Sequence, residues 1–158
     1  MSALKIEDAA LRHLAARSRT VREMERHLDR KGFDREAISG VIEKFLDYGY
    51  LNDERYCHEY FRFAFGRGKG KRRIFAELRE KGVELSLIER AFDDYCEEEG
   101  EPDERARARE EAARVLRMAD VSEGSRIPEK VLARVARRLA SKGYSGDTIY
   151  SVIGELRK

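Results

Sequence analysis

The residues of this chain best suited to chemistry are cations that stand without neighbouring acids. Between positions 60 and 76 there are six basic groups, Arg62, Arg67, Lys69, Lys71, Arg72 and Arg73, and no carboxylate. Gly66, Gly68 and Gly70 interleave them, so RGKGKRR reads as a mobile basic loop that feeds a helix start. Cations gathered in this way repel one another unless something anionic approaches, and the chemistry they predict is neutralisation of phosphate. Two further basic stripes have helical spacing. Arg22, Arg26 and Arg30 recur every fourth residue, with Glu23, Glu25 and Asp29 among them, so that stripe serves equally well as a solvated face. Lys130, Arg134, Arg137, Arg138 and Lys142 fall on one side of a helix whose other side carries Leu132, Val135, Ala136 and Leu139.

Signals for catalysis are poor. His13, His27 and His58 are scattered, and the adjacent Cys57 and His58 would point about 100° apart on a helix, too far to share one metal. RGKGKRR has neither the G-x-x-x-x-G-K-[ST] pattern nor a preceding strand, which argues against a nucleotide P-loop. Tyr50, Tyr56, Tyr60, Phe61, Phe63 and Phe65 could form a stacking platform for bases, but they cover more than half of one helix, and a core role is favoured for most of them. No enzyme, cofactor or metal is expected. Cys57 and Cys96 follow no spacing pattern and read as ordinary thiols of a cytoplasmic protein, and no apolar run approaches the roughly 20 residues that a membrane span needs.

The elements that must position these groups are written as a repeat. The phrase L-x-x-K-G-[FVY]-x-x-x-x-I-x-x-[VA]-[IF] occurs at Leu28, Leu78 and Leu139, with Gly32, Gly82 and Gly143 and then Ile38, Ile88 and Ile149 in the same register. A left-handed glycine at the helix end would bring Leu28 against Phe33, Leu78 against Val83 and Leu139 against Tyr144, the apolar contact that closes a Schellman motif. After each stop a new helix begins, since Ile38, Val41, Ile42, Phe45 and Leu46 lie on one face. Thr20 to Glu23 and Ser86 to Glu89 fit capping boxes, and Asp34 fits an N-cap. First helices are expected from about Ile6 to Ala16, Asp53 to Phe65 and Pro102 to Ala119, which makes nine helices in three triplets. The expected fold is therefore all-α, with three-helix repeats over residues 1–48, 49–99 and 100–158. With 41% charged and 41% apolar residues the chain suits thin modules in an extended, curved array more than one thick core. Residues 91 to 104 hold eight acids and no base and read as a hinge between repeats two and three, while the net charge of +2 says little by itself.

At this point the residues resemble a known family. Gly49-Tyr50-Leu51-Asn52-Asp53-Glu54-Arg55-Tyr56, the aromatic helix, and then Gly70-Lys71-Arg72-Arg73-Ile74-Phe75-Ala76-Glu77-Leu78 through Val83 resemble the central signature of the bacterial RecX regulatory proteins. Ala9 to Thr20 is similar to that family's first helix and turn, and Leu139 to Ile153 to its last corner. Asn52 stands where the family commonly has an aspartate and can cap a helix equally well. The resemblance implies a monomeric, three-repeat modulator that binds the RecA filament on single-stranded DNA and lowers its ATPase, strand-exchange and co-protease activities. Contact candidates are Arg22, Arg26, Lys69, Lys71, Arg72, Arg73, Arg134, Arg137 and Arg138. The alternative is a helix-turn-helix-like protein that binds duplex DNA directly, with Gly32, Gly82 and Gly143 as its turn glycines. Against it, Ile88 to Tyr95 and Ile149 to Leu156 offer few side chains that read bases.

Overall fold

The computed structural model describes residues 3–158, so the first two residues of repeat one lie outside the described part. Among the described residues there are nine α-helices and no strand: α1 (Ala3–Ala16), α2 (Val21–Arg30), α3 (Arg35–Asp47), α4 (Asp53–Gly66), α5 (Lys71–Glu80), α6 (Leu85–Glu99), α7 (Glu104–Met118), α8 (Glu129–Lys142) and α9 (Gly146–Leu156).

The helix starts follow from local side chains. Thr20 forms a full capping box with Glu23, and Asp34, Asp103 and Ser145 each accept the amide of the residue three further on. Asn52 caps α4 in the same way, its Oδ1 accepting the Arg55 N–H at 3.0 Å. The capping box expected at Ser86 does not form, because α6 already begins at Leu85 and Ser86 lies inside its first turn. The cause is the preceding corner. Each helix starts two residues after the apolar residue that closes the turn, Phe33, Val83 or Tyr144, which gives the N-cap position to Asp34, Glu84 and Ser145 by one register.

The helix ends form the predicted Schellman motifs in all three copies. Gly32, Gly82 and Gly143 have φ of 90°, 91° and 96°. In each corner both diagnostic bonds are present: Phe33 N–H to Leu28 O and Gly32 N–H to Asp29 O, Val83 to Leu78 and Gly82 to Arg79, Tyr144 to Leu139 and Gly143 to Ala140. Leu28, Leu78 and Leu139 are fully buried, and each contributes about 1.5–3 kcal/mol of apolar burial.

Packing divides the chain into two compact units. The first runs to Tyr60 and adds Glu77–Asp94; the second combines Phe61–Ala76 with Tyr95–Lys158. In the first unit Ile6 and Ala10 of α1, Met24 and Leu28 of α2, and Ile38, Val41, Ile42 and Phe45 of α3 share one core with Leu51. In the second, Ala108, Ala112 and Val115 of α7 meet Val135 and Leu139 of α8, Tyr144, and Val152 of α9. The second unit also holds an aromatic group in which Phe61 lies 5.5 Å from Tyr95 and 6.1 Å from Phe75 between ring centroids. Tyr56, Phe61 and Phe65 are buried, which gives three of the six aromatic residues a core role, while Tyr50 and Phe63 are half exposed. The acidic stretch from 91 to 104 is mostly not a hinge, because Ala91 to Glu99 continue α6 and only Gly100 to Asp103 connect it to α7.

Candidate nucleic-acid interface

Within each unit a glycine corner meets the N-terminus of an earlier helix. In the first unit the Thr20 hydroxyl donates to Lys81 O at 2.6 Å while accepting the Glu23 N–H, and the Val21 N–H donates to Asp53 Oδ1 at 3.0 Å. The negative end of α5 thus faces the positive end of α2, a head-to-tail arrangement of dipoles. A Cβ at Gly82 would lie 2.2 Å from Cβ of Arg22, so the corner has room for a hydrogen only. In the second unit the Gly70 N–H donates to Lys142 O at 2.7 Å, the Tyr144 hydroxyl donates to Gly68 O at 2.7 Å, and Lys142 Nζ donates to Arg67 O at 3.1 Å. The end of α8 is set against the start of α5 as the end of α5 is set against the start of α2.

This geometry overturns the reading of RGKGKRR as a mobile loop. Only Arg67 to Gly70 lie between helices; Lys71, Arg72 and Arg73 are the first turn of α5. The four connecting residues are held by bonds from the third corner, because their own carbonyls and amide complete the polar pairing of two helix ends that would otherwise be buried unsatisfied. The amide that a phosphate would seek at the start of α5, that of Gly70, is already given to Lys142 O.

The candidate cations fall into two groups. Arg22 lies against Gly82, Arg26 Nη1 donates to Glu80 O at 3.4 Å, and Arg73 Nη1 donates to Ser141 O at 3.1 Å, so these three brace the joints. Arg138 Nε is 3.7 Å from a carboxylate oxygen of Glu111, and Lys71 lies 5.2 Å over the ring of Phe75. Lys69 is half-buried beside the joint. Arg72, Arg134 and Arg137 are exposed and make no ion pair among the described residues. The structure therefore brings Arg73 of α5 and Arg138 of α8 into one electrostatic neighbourhood, whereas Arg22 and Arg26 belong to the other unit.

At the centre of the second joint is an acid, Glu111. Glu111 is 2% exposed, its Oε1 accepts from Arg114 Nη1 at 3.3 Å, and it sits where a Cβ on Gly68 would have to go. Its Oε2 is buried without a hydrogen-bond partner. Burial holds the Lys142 ammonium below its ordinary pKa, with Arg138, Arg73 and Arg114 pushing the same way and Glu111 opposing. A signal for Glu111 was present in the sequence: it occupies the apolar stripe Ala108, Ala112, Val115 of α7, where an acid needs a reason. Replacing Glu111 by Gln keeps the shape and removes a charge that offsets these cations. Because Arg114 and Arg138 remain more than half exposed, the expected cost is about 1–3 kcal/mol, read as a lowered midpoint in urea with an unchanged slope.

Among the described residues no group of three or more His, Cys, Asp or Glu is placed to hold a metal. The Cys57 thiol is fully buried, and burial with the nearby Asp53 and Glu54 charges pushes it up to about 12, so it is not a nucleophile at neutral pH. No helix is long and apolar enough to cross a membrane among the described residues. What the arrangement can do is present a set of cations on α5 and α8, spaced by helices whose mutual register the joints hold.

The chain is similar to proteins of known family. Residues 8–45 match the first three-helix domain of RecX and residues 52–91 match the second. The regulatory protein RecX of Mycobacterium sp. (strain KMS) is 33% identical over 144 residues, covering 90% of this chain and 76% of that protein. The regulatory protein RecX of Halorhodospira halophila is 33% identical over 146 residues, covering 91% of this chain and 83% of its own length. The crystal structure of RecX from Lactobacillus salivarius matches with a TM-score of 0.76 at 25% identity, over 98% of this chain and 96% of that one.

Proposed function

The chain belongs to the RecX family of regulatory proteins, and from that premise we propose that it binds the RecA filament on single-stranded DNA and restrains it, lowering ATP hydrolysis, strand exchange and co-protease activity. The recognition units are the three-helix repeats 1–48, 49–99 and 100–158, acting as a monomer in the cytoplasm, in recombination, DNA repair and the SOS response. The observation that supports this reading most is the outward set of Arg72, Arg134 and Arg137, which have no ion-pair partner among the described residues and suit a phosphate-bearing groove. The function asks for binding alone, with no cofactor.

Direct insertion of α6 or α9 into a major groove has less support. The exposed residues of α6 include Glu89, Asp93 and Asp94, and those of α9 include Asp147, Tyr150 and Glu155, so both helices would bring like charge to phosphate. Two of the three turn glycines, Gly82 and Gly143, are also enclosed in the joints.

At a ratio to RecA of one or below, the protein is expected to slow single-strand-dependent ATP hydrolysis by RecA and to hydrolyse no nucleotide alone. RecA turnover that stays unchanged at saturating protein would refute the proposal.

A further inference from the structure

Between α1 and α2 lies a cleft of about 380 Å³ whose charged lining is Lys5, Asp8, Arg12, His13, His27 and Lys31. Lys5, Asp8 and Arg12 share one face of α1 by their spacing, while His27 lies in the last turn of α2 and Lys31 in the first corner. The imidazoles of His13 and His27 are stacked, 3.6 Å between centroids and 3° from parallel. Three permanent cations thus face one carboxylate across a pair of titratable rings, and Lys5, Arg12 and Lys31 make no ion pair among the described residues. The surrounding charges add to the imbalance. Arg17 and Arg19 follow α1, Arg30 flanks Lys31, and a further acid, Glu23, is held by Arg17 at 2.8 Å. From α3 no residue lines the cleft.

Two imidazolium rings at this separation repel strongly, so the pair accepts protons freely only when an anion lies against it. The surroundings of the cleft act accordingly. Burial, then Arg19, His27 and Arg17, lower His13 to about 4, and burial with Lys31, Arg30 and Arg19 lowers His27. Both shifts favour the neutral rings, and neutralising the local excess of positive charge would raise the proton affinity of the pair.

We propose that this cleft is a phosphate subsite for a single nucleic-acid strand, in which Lys5, Arg12 and Lys31 hold the phosphate and the His13–His27 pair takes up a proton from solvent as it binds. It rests on the filament reading only for the choice of a strand over a free phosphate. Linkage fixes the sign: a ligand that raises the pKa of the pair binds more tightly as pH falls through the raised value. None of these residues belongs to the cationic set on α5 and α8.

The test uses the full chain without RecA and a labelled oligo-dT, with binding followed by anisotropy at constant ionic strength. Lowering the pH from about 8 to about 6 is expected to tighten binding about tenfold, corresponding to an average uptake of roughly half a proton per binding event over that interval. The double variant His13→Asn, His27→Asn should show no such dependence. In the wild-type protein the imidazole resonances of His13 and His27, followed by NMR, should titrate at higher pH with oligo-dT present, while His58 is unaffected. A flat pH profile with unmoved resonances overturns the proposal. So does an upward shift produced by inorganic phosphate and not by oligo-dT, which would make the cleft a small-anion site. Since the assay contains no RecA, a failure of ATPase inhibition does not affect its outcome.

Discussion

Replacing Gly143 by alanine is expected to cost about 2–5 kcal/mol of folding stability, a large part of the margin of a typical domain. Two costs combine. The residue is held at φ 96°, where an L side chain pays about 1–2 kcal/mol. The added Cβ would also lie 2.3 Å from Cβ and 2.5 Å from the backbone N of Arg73, and a backbone in the first turn of a helix cannot step aside as a side-chain tip can. Gly82→Ala should cost somewhat less, because the atoms in the way are Cβ and Cγ of Arg22, at 2.2 and 2.3 Å. Gly32→Ala should cost only the dihedral term of about 1–2 kcal/mol, since nothing lies within 4 Å of its Cβ position. Urea denaturation of the three variants measures the order. Equal losses at all three would show that the corners matter only as turns and that the joints carry no strain of their own.

The second large effect is on strand binding. The triple variant Arg72→Ala, Arg134→Ala, Arg137→Ala should fold normally, because exposed substitutions usually cost within about 0.5 kcal/mol each. If all three groups meet phosphate, its log-log salt slope for single-stranded DNA should be shallower by up to about 2, at about 0.7 for each lost contact. Arg73→Ala should behave differently. It removes the bond to Ser141 O at the second joint and should lower the unfolding midpoint, with a loss of about 0.5–1.5 kcal/mol. Changing Lys69, Lys71, Arg72 and Arg73 together would mix the two effects. Anisotropy over a series of salt concentrations, with a urea titration on the same proteins, separates them. A triple variant with unaltered affinity and slope would remove α5 and α8 from the strand interface.

Much of this molecule is legible in its sequence. The three Schellman corners at Gly32, Gly82 and Gly143 were written in the sequence because a helix stop of this kind is local: one left-handed residue, one apolar pair and two backbone bonds within six residues. The helices and the burial of Phe61 and Phe65 followed in the same way from periodicity and from the cost of exposing so many rings. One local rule misled: a Ser three residues before a Glu looks like a capping box at Ser86, but the register of the corner had already started the helix at Leu85.

What the tertiary structure decided was which of the similar-looking groups serve each other. Nothing local distinguishes Arg73 from Arg72, yet one donates to the third corner, some seventy residues away in sequence, and the other points to solvent. Glu111 acquires its meaning only when Gly68, Arg114 and Arg138 converge on it, and His13 and His27 stack only because α1 and α2 pack against each other. The physical reason is the same in each case. Helix stops and starts depend on bonds within one turn of chain, whereas pairing, burial and proton affinity depend on which distant elements exclude water together.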